Sequence, residues 1–126
     1  MSNQSQEERL YLNIKYDDNG LITCVTRDNV SKDILMVAFM NEDALKTTIQ
    51  TGEMYYWSRS RQELWHKGAT SGQVQSVSSL KIDCDQDCIL ADVTVQSEDG
   101  GACHTGRKSC FYRKINLKAG DLKILD

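Results

Sequence analysis

Between Asp83 and Cys110 the chain gathers carboxylates, thiols and one of its two histidines. The span opens with Asp83-Cys84-Asp85-Gln86-Asp87-Cys88 and closes with Cys103-His104-Thr105-Gly106-Arg107-Lys108-Ser109-Cys110. Aspartates at every second position repel one another unless a proton or a cation lies between them. If Lys81 to Asp87 is extended, Asp83, Asp85 and Asp87 share one face and Cys84 points from the other. The two faces then differ in chemistry, since carboxylate oxygens suit magnesium or calcium whereas thiolates select zinc. An EF-hand loop would need Gly at its sixth position and an acidic residue at its twelfth, where this chain has Cys88 and Thr94. A hard-cation site and a solvated acidic turn both stay open.

Cys84, Cys103 and Cys110 supply three thiolates. A zinc with three protein ligands keeps its fourth position for water, as catalytic rather than structural zinc does. Water held there has its pKa lowered to about 7, which is the chemistry of a hydrolase. Cys88 shares the parity of Cys84, so a closed four-thiolate site in a binding module without chemistry is the alternative. A deaminase of the cytidine type needs H-x-E with P-C-x-x-C, and the chain contains no proline.

Asp83-Cys84-Asp85-x-Asp87, Gly100-Gly101-Ala102-Cys103-His104-Thr105-Gly106 and Ser109-Cys110-Phe111 together resemble the signature of the phosphoribosyl-AMP cyclohydrolases of histidine biosynthesis. Met36-Val37-Ala38-Phe39-Met40-Asn41, Tyr56-Trp57-Ser58-Arg59-Ser60-Arg61 and Leu64-Trp65-x-Lys67-Gly68-x-Thr70-Ser71-Gly72 are similar to that family in the same order. The resemblance runs from about Asp33 to Arg113. It implies a zinc- and magnesium-dependent hydrolase that opens the adenine ring of N1-(5-phosphoribosyl)-AMP between N1 and C6. It further implies a homodimer with metal sites at the subunit interface, zinc falling to Cys84, Cys103 and Cys110 and magnesium to Asp83, Asp85 and Asp87. His104 becomes the candidate acid or base, its alternative being to orient a zinc ligand or to act as a spare one. Arg59, Arg61, Trp65, Lys67, Gly68, Thr70, Ser71 and Arg107 become candidates for binding substrate. Two positions depart from the family pattern: Ala69 stands where an acidic residue is usual, and Cys88 where a small apolar one is. The second departure favours Cys88 as a core thiol outside the metal set.

The elements that must position these groups belong to a chain of 126 residues, enough for one domain and one core. Residues 1–8 read as a flexible start and 9–126 as the domain, with no second domain expected. Hydrophobic content of 40% and charged content of 26% are ordinary for a globular protein. No apolar run approaches the roughly 20 residues that span a bilayer, and Met1 to Glu8 lacks the features of a secretory signal. An odd number of cysteines, five, suits reduced thiols and metal ligation, so the expected compartment is the cytoplasm. A net charge of −3 argues against nucleic acid as a partner, while Arg59, Arg61, Lys67, Arg107, Lys108 and Arg113 suit a small phosphorylated nucleotide.

The patterning predicts an α+β domain with strands in the majority and one or two short helices. Leu21 to Thr26 reads as the second arm of a hairpin after a turn at Asp18 to Gly20, and Ile34 to Met40 as a strand. Asn41 as N-cap, Glu42 and Asp43 in a first turn and Gly52 as a stop predict a short helix with Ala44, Leu45 and Ile49 facing the core. Met54 to Ser58, Val74 to Asp85, Ile89 to Gln96, Cys110 to Leu117 and Leu122 to Leu125 read as strands. Gly68 to Gly72 reads as a loop whose glycines and hydroxyls could cradle an anion.

Overall fold

The structure is a computed structural model that describes residues 10–96 and 102–125. The expected flexible start at 1–8 and the paired glycines at 100–101 lie outside the described residues. Two local hairpins make the principal sheet. Strands β1 (Ile22–Asp28) and β2 (Ile34–Met40) pair antiparallel, and β5 (Val74–Ile82) pairs antiparallel with β6 (Cys88–Gln96). Parallel pairing of β1 with β6 joins them into the order β2-β1-β6-β5. The remaining strands form two small antiparallel pairs, β3 (Tyr55–Ser58) with β4 (Glu63–His66) and β7 (Arg113–Ile115) with β8 (Leu122–Ile124).

The single described helix, α1 (Glu42–Thr51), lies between β2 and β3. Asn41 is extended and its side chain accepts the Ala44 N–H at 2.8 Å, while Gly52 takes φ 76° and donates its N–H to the Thr48 carbonyl. Ala44 and Leu45 face the core as the spacing predicts, but Ile49 is 56% exposed. At 100° per residue Ile49 sits on the shoulder of that face, and Thr48 occupies its centre. The Thr48 hydroxyl there accepts the Tyr55 N–H at 2.9 Å and so fastens the helix to β3.

The core lies between α1 and the sheet, with Ile22, Cys24, Leu35, Met40, Met54, Tyr56, Ile89 and Val93 buried. A polar thread runs through it. The Thr26 hydroxyl lies 2.7 Å from the Tyr56 hydroxyl, which donates to Gln75 Oε1 at 2.7 Å, and Gln75 Nε2 reaches Met36 Sδ. Every buried polar group in this thread thus has a partner, as burial requires. Between β1 and β6, Arg27 meets the buried Asp92 with two parallel bonds of 2.6 and 3.0 Å, and Ser79 from β5 donates to the same carboxylate.

Three strand expectations need correction. The turn before β1 exists, closed by Asp17, but the residues ahead of it do not return as a strand. Both edges of β1 are already taken, by β2 and by β6, so β1 is the first arm of its hairpin and not the second. Only Arg113–Ile115 of the stretch Cys110 to Leu117 is strand. Most consequentially, Lys81 to Asp87 is not extended: β5 ends at Ile82, and the acidic residues form the turn into β6, with Gln86 at φ 60°.

Candidate metal centre and substrate cleft

The turn between β5 and β6 is closed by its own polar groups. Gln86 N–H donates to the Asp83 carbonyl, and Asp83 N–H to the Cys88 carbonyl. Asp83 Oδ1 accepts both the Asp87 N–H at 2.9 Å and the Cys88 N–H at 3.0 Å. One carboxylate oxygen of Asp83 is therefore committed to the backbone. The turn brings the three aspartates together without strand alternation, with one oxygen from each lying within 4.8 Å of the others.

Their titration reflects that crowding. Burial alone would raise the Asp83 carboxyl, but the hydrogen bonds it accepts from Asp87 and Cys88 hold it below the ordinary value. Asp87 is pushed up to about 6 by hydrogen bonding to Asp83 and Asp85 and by their charges. Three carboxylates crowded this closely favour a proton or a divalent cation between them, so the donor set fits a hard ion.

The thiols are arranged differently. Cys103 and Cys110 come within hydrogen-bonding reach of each other, at the two ends of a loop anchored to β2. Cys110 N–H donates to the Leu35 carbonyl and Ser109 Oγ to the Ile34 carbonyl, while Cys103 N–H closes onto the Arg107 carbonyl. Desolvation would raise Cys103, but the Thr105 hydroxyl, 3.1 Å from its sulfur, and the Thr105 backbone outweigh it and lower its pKa. Burial and the neighbouring sulfur push Cys110 up to about 11. Two sulfurs this close, one of them favoured as thiolate by its hydrogen bonds, suit a soft dication.

Cys84 does not join them. It is exposed in the acidic turn, and among the described residues the aspartates form the one group of three or more candidate ligands within 4.8 Å. Cys24 is fully buried in the core, its thiol pushed up to about 12 chiefly by burial. Cys88 is half-buried, and burial together with Asp83, Asp87 and Asp85 raises its pKa, a poor setting for a thiolate ligand.

Lys67 connects the thiols to the cleft. It is only 4% exposed, burial lowers its pKa, and the sulfurs of Cys110 and Cys103 oppose that fall. Its ammonium lies 5.5 Å from the centre of the Trp65 ring. Trp65 in turn forms a wall common to two clefts. One, of about 500 Å³, is lined by Val37, Phe39, Trp57, Arg59 and Ser60, and the other, of about 310 Å³, by Ser58, Ser60, Arg61 and Glu63. The Arg59 guanidinium stacks on Phe39, 4.1 Å from the ring centre.

Of the other candidates, His104 is exposed at the tip of the turn that Gly106 N–H closes onto the Cys103 carbonyl. Arg107 lies over the Tyr112 ring at 4.2 Å, with Arg113 on the same ring. Thr70 and Ser71 are exposed, and Ser71 Oγ accepts the Gln73 N–H. Gly68 is buried at φ 89°, and a Cβ there would lie 2.2 Å from the Val74 nitrogen. Its lack of a side chain serves the close approach of the chain to itself. Three participants escape a reading by motif: Phe39 under Arg59, Glu53, whose carboxylate lies 2.7 Å from His66 beside Lys67, and Gln86 inside the acidic turn. Phe39 and Gln86 sit within the quoted motifs, but nothing in their type announces a contact.

The family model described as phosphoribosyl-AMP cyclohydrolase matches residues 36–112, which contain most of β2, all of β3 to β6, both clefts, the acidic turn and both loop thiols. A phosphoribosyl-AMP cyclohydrolase of Rhodopseudomonas palustris strain BisB18 is 53% identical over 119 residues, covering 94% of this chain and 80% of that protein. The protein of that name from Bradyrhizobium diazoefficiens is 50% identical over 119 residues, covering 94% and 83%. The one from Methanococcoides burtonii is 51% identical over 113 residues, covering 90% and 91%.

Proposed function

The chain belongs to the phosphoribosyl-AMP cyclohydrolase family, and from that premise we propose that it opens the adenine ring of N1-(5-phosphoribosyl)-AMP at the N1–C6 bond in histidine biosynthesis, as a homodimer that uses zinc and magnesium. The observation that carries this reading is the buried Lys67 set between the Cys103–Cys110 pair and the Trp65 wall of the clefts. A buried cation that meets no carboxylate among the described residues needs anionic company, which two zinc-bound thiolates or a phosphorylated substrate would provide.

Cys103 and Cys110 would hold zinc from one protomer, and the exposed Cys84 of the other protomer would complete the set. Asp83, Asp85 and Asp87 would hold magnesium. When bound, zinc supplies water activated at neutral pH, and magnesium neutralises phosphate beside the carboxylates. Trp65, Trp57 and Phe39 offer ring faces to the base, and Arg59 and Arg61 offer guanidinium forks to its phosphates. Lys67 holds positive charge at the thiolate side of the site. His104, one residue from Cys103, delivers the proton that N1 takes as the bond to C6 opens.

Following ultraviolet absorbance on phosphoribosyl-AMP, with zinc and magnesium present and then with a chelator, tests the activity. Ring opening that the chelator abolishes is expected, and absence of turnover with both metals present would overturn the assignment. His104→Ala should keep zinc and lose most turnover; if turnover persists, His104 is not the proton donor. No described helix is long and apolar enough to cross a membrane, and we infer a cytoplasmic enzyme from the reduced thiols its chemistry needs.

A further inference from the structure

We propose that Gln86 is the positioning residue of the acidic turn, and that its side chain couples cation binding by Asp83, Asp85 and Asp87 to docking of the segment Tyr11 to Lys15. The inference rests on the reading of the aspartates as a magnesium site. Gln86 holds φ 60°, a conformation that Gly or Asn adopts more readily than a long side chain does. It is also 4% exposed, although it sits between Asp85 and Asp87 at the tip of a surface turn. An unfavourable backbone conformation in a buried polar residue needs compensation, and its hydrogen bonds supply it.

Gln86 Oε1 accepts the Asn13 N–H at 2.6 Å, Gln86 Nε2 donates to the Tyr11 carbonyl at 3.3 Å, and the Gln86 carbonyl accepts the Lys15 N–H at 2.8 Å. Three alternate residues of one segment are therefore fastened to a single residue of the turn. The amide plays the part of a short neighbouring strand, presenting an acceptor and a donor at strand spacing. With the side chain held inward, the left-handed turn at Gln86 is fixed, and Asp87 returns far enough for its N–H to reach Asp83 Oδ1. Released, Gln86 can leave that conformation and carry Asp87 away from Asp83. Coupling runs both ways, so a cation that draws the carboxylates together also holds Gln86 in place for the segment.

Gln86→Gly separates side chain from backbone, because Gly accepts the positive φ more easily yet has no amide. On zinc-loaded protein, magnesium titrated by calorimetry should bind about tenfold more weakly to Gln86→Gly than to wild type, the lower end of what loss of an outer partner costs a metal site. Gln86→Asn keeps an amide one methylene too short and should behave the same way. Zinc content should be unchanged in both, which reports an intact fold. In wild type, magnesium should slow hydrogen exchange at the Asn13 amide, and in Gln86→Gly that response should vanish. Wild-type magnesium affinity in Gln86→Gly, or Asn13 exchange indifferent to magnesium in wild type, would overturn the coupling. A wild-type protein that takes up no magnesium would instead overturn the cation site itself.

Discussion

Asp83, Asp85 and Asp87 meet within the single connection between β5 and β6, whereas Cys103 and Cys110 meet through a loop hung on β2 and lack a third thiol beside them among the described residues. Both regions crowd like ionisable groups together where a cation would fit. They differ in what completes them. The acidic turn takes all three carboxylates from five consecutive residues of one chain, with Gln86 among them fastened to Tyr11, Asn13 and Lys15. The thiol pair depends on β2, on the 102–110 loop and, in the proposed dimer, on Cys84 of another copy. The carboxylates can be gathered within one chain, whereas the proposed open zinc site would require assembly.

The largest effect is expected from the thiols. Cys84→Ala, Cys103→Ala and Cys110→Ala should each abolish bound zinc and turnover, whereas Cys24→Ala and Cys88→Ala should keep both; metal analysis of purified variants checks this. If Cys84 comes from the partner copy, mixing inactive Cys84→Ala and Cys110→Ala chains by unfolding and refolding should restore about a quarter of wild-type activity, since half the twofold dimers would carry one intact site. Mixing Asp83→Asn with Asp87→Asn should restore nothing, because no triad is shared. Recovery in the second mixture would break the contrast between the regions.

Next in size, Asp85→Asn should retain zinc and require at least about tenfold more magnesium for the same rate, given the loss of one hard ligand. Superimposable magnesium titrations of variant and wild type would remove the aspartates from the reaction.

The joint that sets the two hairpins against each other gives a stability test. Hydrogen bonding to Arg27 holds the buried Asp92 down to about 2, below the value of roughly 3.9 that an unfolded aspartate has. A depressed folded value stabilises the protein fully above about pH 4, and that stability is lost as pH falls towards 2. Arg27→Gln should flatten this part of the acid-unfolding curve and, by leaving the buried carboxylate half-paired, lower stability at neutral pH. Smallest of all, Asn41→Ala should cost about 1 kcal/mol by denaturant unfolding. It should leave zinc and magnesium binding alone, because α1 belongs to neither region.

How much of this the sequence discloses follows the range of the forces involved. Asn41, the acidic first turn and Gly52 bound α1 correctly because capping acts over four residues. Ile34 to Met40 reads as a strand because its apolar run is continuous. The alternation Asp83-x-Asp85-x-Asp87 picks out three residues that the structure does bring together, though by a turn and not by a strand face: Gln86 takes its left-handed conformation while bonded to Tyr11 to Lys15, a contact that spans most of the domain. Likewise the place of β1 depends on β6, which no local pattern in Ile22–Asp28 reveals. Lys67 is named by its motif, but its burial beside two sulfurs is a product of packing.

The parallel seam between β1 and β6 also orders events in time. Each flanking hairpin closes a short stretch of chain, whereas the seam pairs residues such as Arg27 and Asp92 that stand 65 positions apart. Closing the longer loop sacrifices more chain freedom, so the hairpins are expected to form early and the seam to lie at the slow step. A folding chain would then bring its three carboxylates near one another before its halves dock, and Tyr11 to Lys15 would fix them afterwards. The sulfur pair, carried by the 102–110 loop on β2, would ripen last.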